Sequence, residues 1–103
     1  MVYTRLSLIL SSDELRRLTI SEIDDDVIQI VADVHGMKCF EARRFINNII
    51  NVVRCAIRLI VIHGYNHGTA IKDMLAKNFF NPHIEERIPD SYNLGVTHFL
   101  IAV

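Results

Sequence analysis

Two segments of the chain share one pattern, in which a run of branched apolar residues ends in His-Gly and a helical pattern follows. The first is Val-Ala-Asp-Val-His-Gly at 31–36, and the second is Leu-Ile-Val-Ile-His-Gly at 59–64. Such apolar runs are typical of strands buried on both faces of a parallel sheet. Parallel strands need crossover helices that cover the sheet. The repeat therefore predicts an α/β fold with both His-Gly pairs at one sheet edge.

The other segments complete a βαβαββ order over residues 27–103, preceded by an N-terminal extension at 1–26. In the extension, alternation over residues 4–10 indicates a weak strand, and the capping-box spacing of Ser11 and Glu14 indicates a short helix to about Leu18. In the main domain, helices are expected over 40–55 and 70–79, and strands over 27–34, 59–62, 84–88 and 96–103.

Composition limits the class of protein. The chain has 103 residues, half of them apolar and 22% charged, which fits one globular domain and excludes a disordered chain. Cys39 and Cys55 fall on one predicted helix, about 24 Å apart at roughly 1.5 Å per residue, which is too far for a disulfide. Because Arg5 interrupts the apolar start and no run of about 20 apolar residues follows, we expect neither a signal peptide nor a membrane partner. We expect a cytoplasmic protein with reduced thiols, monomeric by default.

Charge is distributed unevenly although the formal net charge is −1. Residues 1–26 hold six acidic residues against three arginines, and residues 81–103 hold three acidic residues against one arginine. Residues 27–80 hold seven basic residues against three acidic ones. A basic middle suits an anionic partner, and a solvated helix face explains it equally well.

The residues that carry chemistry lie at the two His-Gly segments. Side chains alternate along a strand, so Asp33 and His35 point to the same side, and His63 ends the neighbouring strand. Ligands of open α/β sheets bind at the carboxyl edge of the strands. Because histidine ordinarily changes charge between pH 5 and 8, Asp33, His35 and His63 are candidate acid–base residues. The alternative is that Asp33 and His35 only cap the loop and bond each other.

The loop from Gly64 to Thr69 opens a helix, and its backbone amides favour a phosphate. The loop lacks the Gly-Lys-Ser/Thr end of a Walker A motif. His63 and His67 have a spacing seen in metal sites, but without a second ligand pair they do not predict zinc. His83 and His98 receive no functional prediction. The candidate phosphate- and nucleic-acid-binding residues are Gly36, Lys38, Arg43, Arg44, Gly64, Tyr65, Asn66, His67, Gly68, Thr69 and Lys72.

Three segments resemble, in order, the signatures of the small MutS-related (Smr) domain family. Asp33-Val34-His35-Gly36, followed by Glu41-Ala42, resembles the Leu-Asp-Leu-His-Gly signature with its helix start. Ile62-His63-Gly64-x-x-x-Gly68 resembles the His-Gly-x-Gly-x-Gly signature, and Asn93-Leu94-Gly95-Val96-Thr97 resembles the closing Gly-x-Thr strand. The resemblance implies a βαβαββ sandwich similar to the C-terminal domain of translation initiation factor three. It also implies DNA or RNA binding, often with endonuclease activity.

Three positions depart from the family pattern: Asn66 replaces a glycine, Tyr65 replaces a base, and Lys38 replaces a Ser or Thr helix cap. These departures bear on catalysis more than on fold. Three functions stay open: an endonuclease, a non-catalytic nucleic-acid-binding module, and a protein-interaction adaptor that uses the acidic N-terminal segment. The cofactor is open between one Mg²⁺ or Mn²⁺ ion at Asp33 and an acid–base pair with no metal.

Overall fold

The computed structural model describes residues 2–23, 27–53, 55–64 and 68–102, which form four helices and five strands of an α/β fold. From the second strand onward, the elements follow the predicted βαβαββ order. In chain order they are α1 (Val2–Ile9), α2 (Ser12–Arg16), β1 (Leu18–Glu22), β2 (Ile28–Asp33), α3 (Cys39–Val53), β3 (Ile57–Ile62), α4 (Ala70–Lys77), β4 (Ile84–Pro89) and β5 (Val96–Ile101).

The five described strands form one open mixed sheet in the order β1-β2-β3-β5-β4. The pair β2–β3 is parallel, as the repeated pattern predicted, and the other three pairs are antiparallel. In the parallel register Asp33 lies opposite Ile62, so both strands end at the same level. This register places the residues that follow the two strands side by side.

One face of the sheet forms the core. Ile30 of β2, Leu59 of β3 and Phe99 of β5 are fully buried, together with Phe45 and Ile49 of α3. The helix α3 also contacts α1 and α4. Because its apolar residues recur at helical spacing, α3 turns one face to the sheet and the other to solvent.

The opposite face of the sheet is not fully buried, so the prediction of strands buried on both faces was wrong. Along β2 and β3, alternate residues such as Val31, Ile60 and Ile62 are only half-buried. The buried strand residues all belong to the face that packs on the helices, because the helices of the described core lie in a single layer. We call the uncovered side the open face.

The weak strand predicted over residues 4–10 was also wrong, because Val2–Ile9 form α1. Leu6 and Leu10 are four residues apart, which places them on one side of a helix, and both are buried in the core. The capping box is confirmed: the Glu14 backbone N–H donates to Ser11 Oγ at 3.1 Å, and the Ser11 N–H donates to Glu14 Oε1 at 2.9 Å.

The short helix α2 ends at Arg16 rather than near Leu18, because Leu18 begins β1. This strand pairs antiparallel with β2, with Leu18 opposite Ala32 and Glu22 opposite Ile28. The segment expected to be an extension thus supplies an edge strand of the same sheet. No described helix is both long and apolar enough to cross a membrane.

Candidate functional site

The two His-Gly segments are neighbours at the carboxyl edge of the parallel strands, which confirms the prediction made from their repeated pattern. The Val34 N–H donates to the Ile62 carbonyl at 2.8 Å, which continues the strand pairing past Asp33. A Cβ placed on Gly64 would lie 3.7 Å from the Cβ of His35. The two loops therefore touch, and their side chains belong to one site.

Asp33 and His35 form a close carboxylate–imidazole pair. The Asp33 Oδ1 atom lies 2.5 Å from His35 Nδ1 and also accepts the His35 backbone N–H at 3.1 Å. A carboxylate only accepts, so Nδ1 carries a proton and Nε2 is the free position of a neutral ring. The His35 side chain is 68% exposed, and Nε2 has no hydrogen-bond partner among the described residues. This is the arrangement of an oriented general base.

Arg17, which lies in the N-terminal segment, forms hydrogen bonds with the backbone of this pair. Its Nη1 donates to the carbonyls of Asp33 at 3.1 Å and His35 at 3.2 Å. Asp13 pairs with Arg16 at 3.3 Å and with Arg17 at 3.7 Å. These five residues line one shallow groove on the open face. The site therefore includes two arginines that the sequence interpretation had placed in an extension.

A sequence signal for this contribution was present. The capping box of Ser11 and Glu14 fixes the start of α2 and places the two arginines near its end. After them, the alternation of Leu18 and Ile20 with polar residues is the pattern of a half-buried strand. These signals predict α2 and β1, but they do not specify the pairing of β1 with β2 that brings Arg17 beside Asp33.

His63 occupies a different environment from His35, because it is only 5% exposed. Its Nδ1–H donates to the Gly64 carbonyl at 2.8 Å, and Nε2 accepts the Thr97 hydroxyl at 2.9 Å. Burial lowers the pKa of His63 and the charge of Lys72 lowers it further, against an opposing effect of the Gly64 bond. The ring is therefore neutral and uses both nitrogens within the fold.

The Gly-x-Thr segment packs directly on the second His-Gly loop. The N–H groups of His63 and Gly64 both donate to the Gly95 carbonyl, at 2.8 Å and 3.0 Å. A Cβ on Gly95 would lie 3.0 Å from the Gly64 Cα, tighter than nine in ten real Cβ contacts. Together with Thr97, Gly95 joins the third motif to the other two, so all three meet at one edge.

The predicted phosphate-binding residues are spread over two layers. Arg43 and Arg44 lie on the exposed side of α3, whereas the Asp33 carboxylate lies on the open face, so the structure does not bring them together. The Lys38 N–H donates to Glu41 Oε1 at 3.0 Å, a hydrogen bond at the start of α3. At the start of α4, the Thr69 hydroxyl donates to Asp73 Oδ2 at 2.9 Å.

The three loop glycines Gly36, Gly64 and Gly68 all have positive φ angles, of +81°, +72° and +119°. Lys72 lies close enough to His63 for its charge to act on the imidazole. Tyr65, Asn66 and His67, which were predicted to contact phosphate, lie outside the described residues.

The site offers few ligands for a metal. Among the described residues, no three His, Cys, Asp or Glu side chains lie close enough together to hold one ion. Asp33 is a single carboxylate already bonded to His35. Mg²⁺ is usually held by one or two carboxylates with water and substrate phosphates. These residues thus do not form a Mg²⁺ or Mn²⁺ site by themselves.

The site is an exposed carboxylate–imidazole pair, positioned by Arg17 and backed by the buried His63–Thr97 contact. No family model matches the chain, and no curated protein or solved structure matches it either. This arrangement can move a proton at His35 Nε2, in a groove that Arg16 also lines.

Proposed function

We propose that the chain is an Smr-type nucleic-acid-binding domain that cleaves phosphodiester bonds at Asp33 and His35. The observation that carries this proposal is the 2.5 Å contact between Asp33 Oδ1 and His35 Nδ1, which leaves Nε2 exposed at the edge where the three motif segments meet. In this proposal, β2 to β5 with α3 and α4 correspond to the sandwich of the C-terminal domain of translation initiation factor three.

The chemistry follows from the orientation of the ring. His35 Nε2 removes a proton from the attacking water, whose oxygen forms the new bond to phosphorus while the bond to the leaving oxygen breaks. Because the leaving oxygen departs on the opposite side of phosphorus, it takes its proton from solvent, and the imidazolium then releases its own proton to solvent. Asp33 keeps Nδ1 protonated and stabilises the positive charge that the ring gains. Arg16 lies in the same groove and can balance the charge of the phosphate.

The proposal narrows the catalytic residues from three to two. His63 is buried, and both of its ring nitrogens are bonded within the fold, so it cannot reach a substrate without losing these bonds. We assign it a positioning role. Through Gly64 and Gly95 it fixes the loop that lies against His35.

Binding assays with single-stranded RNA, single-stranded DNA and duplex DNA, each in EDTA, Mg²⁺ and Mn²⁺, test the nucleic-acid function. We expect salt-sensitive binding, with a log–log slope of about −2 to −3 if about three phosphates are contacted. Absence of binding to all three substrates in dilute buffer would contradict the proposal and favour the adaptor function. Binding without cleavage in any of these ions would leave a non-catalytic binding module.

A further inference from the structure

The open face carries a second cluster of polar side chains, outside the site described above. A shallow pocket near the turn between β4 and β5 is lined on one side by Arg58 of β3 and on the other by turn residues that include Tyr92. Its floor is apolar, formed by Ile88 and Leu100. His98 completes the cluster. Nothing in the proposed cleavage chemistry uses these residues.

The turn at this pocket is built around Asp90. Its Oδ2 accepts His98 Nε2–H at 2.8 Å, and its Oδ1 accepts the N–H groups of Tyr92 at 2.8 Å and Asn93 at 2.9 Å. These hydrogen bonds, above all the one from His98, hold the pKa of Asp90 below its ordinary value. The carboxylate is thus ionised, and its oxygens are occupied by donors of the turn itself.

Two further side chains of the pocket, those of Tyr92 and Arg58, are exposed. The Tyr92 ring is fully exposed to solvent, so its faces are accessible to a ligand. Arg58 is exposed and makes no ion pair within the part of the chain that the structure describes. An unpaired guanidinium beside an exposed ring can hold a phosphate while the ring stacks on a base.

The pocket and the Asp33–His35 groove lie on the same face at a distance that one strand can span. Asp33 is level with Val96 across β3, and His98 lies two residues further along β5. With about 4.8 Å between strands and about 3.3 Å per residue, the Cα atoms of Asp33 and His98 are about 12 Å apart. Half-buried Ile60 and Ile62 of β3 lie between them.

We propose that single-stranded nucleic acid lies across the open face, with one base stacked on Tyr92 and an adjacent phosphate held by Arg58, while another phosphate reaches the Asp33–His35 groove. This inference rests on the proposed function and names its substrate class. A duplex does not fit, because its bases are stacked on one another and are not presented to an aromatic ring. The exposed arginines of α3 are the competing location.

The test is the Kd of a fluorescein-labelled ten-nucleotide oligouridylate, measured by anisotropy with the full chain. All proteins carry His35→Ala so that the strand stays intact. Tyr92→Leu removes the ring and Tyr92→Phe is its matched control, while Arg58→Gln removes the cation. The double variant Arg43→Gln, Arg44→Gln reports on α3. These side chains are all exposed, so the variants are expected to melt at the parent temperature.

We expect Tyr92→Leu to weaken binding at least about fivefold and Tyr92→Phe to bind within about twofold of the parent. Arg58→Gln should also weaken binding and reduce the salt slope by about 0.7, the contribution of one phosphate. If Tyr92→Leu and Arg58→Gln bind like the parent while the α3 double variant binds weakly, the inference is overturned and the nucleic-acid function stands. If neither the parent nor the wild-type chain binds the oligonucleotide, both this inference and the proposed function fail.

Discussion

The Nε2 atom of His63 lies 2.9 Å from Oγ1 of Thr97, so a buried hydrogen bond joins the end of β3 to β5. The other ring nitrogen donates to the Gly64 carbonyl, so the ring also fixes the loop that touches His35. A neutral imidazole accepts the Thr97 hydroxyl at Nε2, whereas a protonated one would donate to the Thr97 oxygen. The order of the candidate site thus depends on the two hydrogen bonds of the His63 ring.

The first prediction concerns the pH dependence of stability. The pKa of folded His63 is lowered from its ordinary value of 6.5, mainly by burial, so the unfolded chain takes up this proton first as the pH falls. The contribution of His63 to the free energy of unfolding is therefore complete above about pH 6.5 and is lost below it, towards the lowered folded value. Urea unfolding between pH 8 and pH 5 should show this loss. His63→Gln should remove it, and the exposed control His83→Gln should retain it.

The second prediction concerns the partner of His63. Thr97→Val keeps the shape and the strand preference of the side chain but leaves Nε2 buried without a donor. Leaving one buried polar group unsatisfied costs about 1–3 kcal/mol, so we expect a loss of unfolding free energy in that range. Thr97→Ser keeps the hydroxyl and should lose less. Equal stability of the Val variant and the wild-type chain would show that the hydrogen bond does not hold the two strands together.

The third prediction concerns the contact between Gly95 and Gly64. An added Cβ at Gly95 would lie 3.0 Å from the Gly64 Cα and 3.3 Å from its nitrogen, both backbone atoms that cannot rotate away. Gly95→Ala should therefore destabilise the chain by about 1–3 kcal/mol in chemical unfolding. Equal stability of Gly95→Ala and the wild-type chain would argue against the close packing.

The fourth prediction concerns Arg17, whose side chain is only 29% exposed and bonds two carbonyls of the site. Arg17→Met keeps the aliphatic stem but removes these donors, and we expect a loss of about 1–2 kcal/mol of stability. Arg16→Met is the matched control, since Arg16 is 74% exposed and pairs with exposed Asp13. It should change stability by less than about 0.5 kcal/mol. Equal effects of the two substitutions would remove Arg17 from the support of the site.

The central part of the fold was predictable because local pattern and global position agree there. The apolar run of β2, the helical spacing of α3 and the apolar run of β3 each have one interpretation, and together they fix the parallel pair. Near the N-terminus, by contrast, Leu6, Leu8 and Leu10 suit a strand by alternation, while Leu6 and Leu10 suit a helix by their spacing of four. Packing against α3, which buries Leu6 but leaves Leu8 exposed, decides between them.

The site was predictable as far as strand alternation reaches. Alternation along β2 places Asp33 and His35 on one side, so their pairing followed from the sequence. Arg17 contacts this pair across 16 residues, through an edge strand whose pairing no local signal specified. The Asp90–His98 bond likewise needs the register of β4 and β5, which places Ile88 opposite His98. The burial of His63 also depends on β5, which approaches only in the folded sheet.

The most direct test of the proposed activity is a cleavage assay with end-labelled single-stranded RNA and single-stranded DNA. It compares the wild-type chain with His35→Ala and Asp33→Asn. The exposed histidine His83, replaced by alanine, controls for contaminating nuclease and for loss of an imidazole elsewhere. We expect His35→Ala to lower the cleavage rate by about 10²-fold or more while binding changes little, and Asp33→Asn to lower it in the same direction. His83→Ala should cleave like the wild type. Failure of the wild-type chain to cleave either strand in EDTA, Mg²⁺ or Mn²⁺, or cleavage by His35→Ala at the wild-type rate, would contradict the assignment of Asp33 and His35 as a catalytic pair.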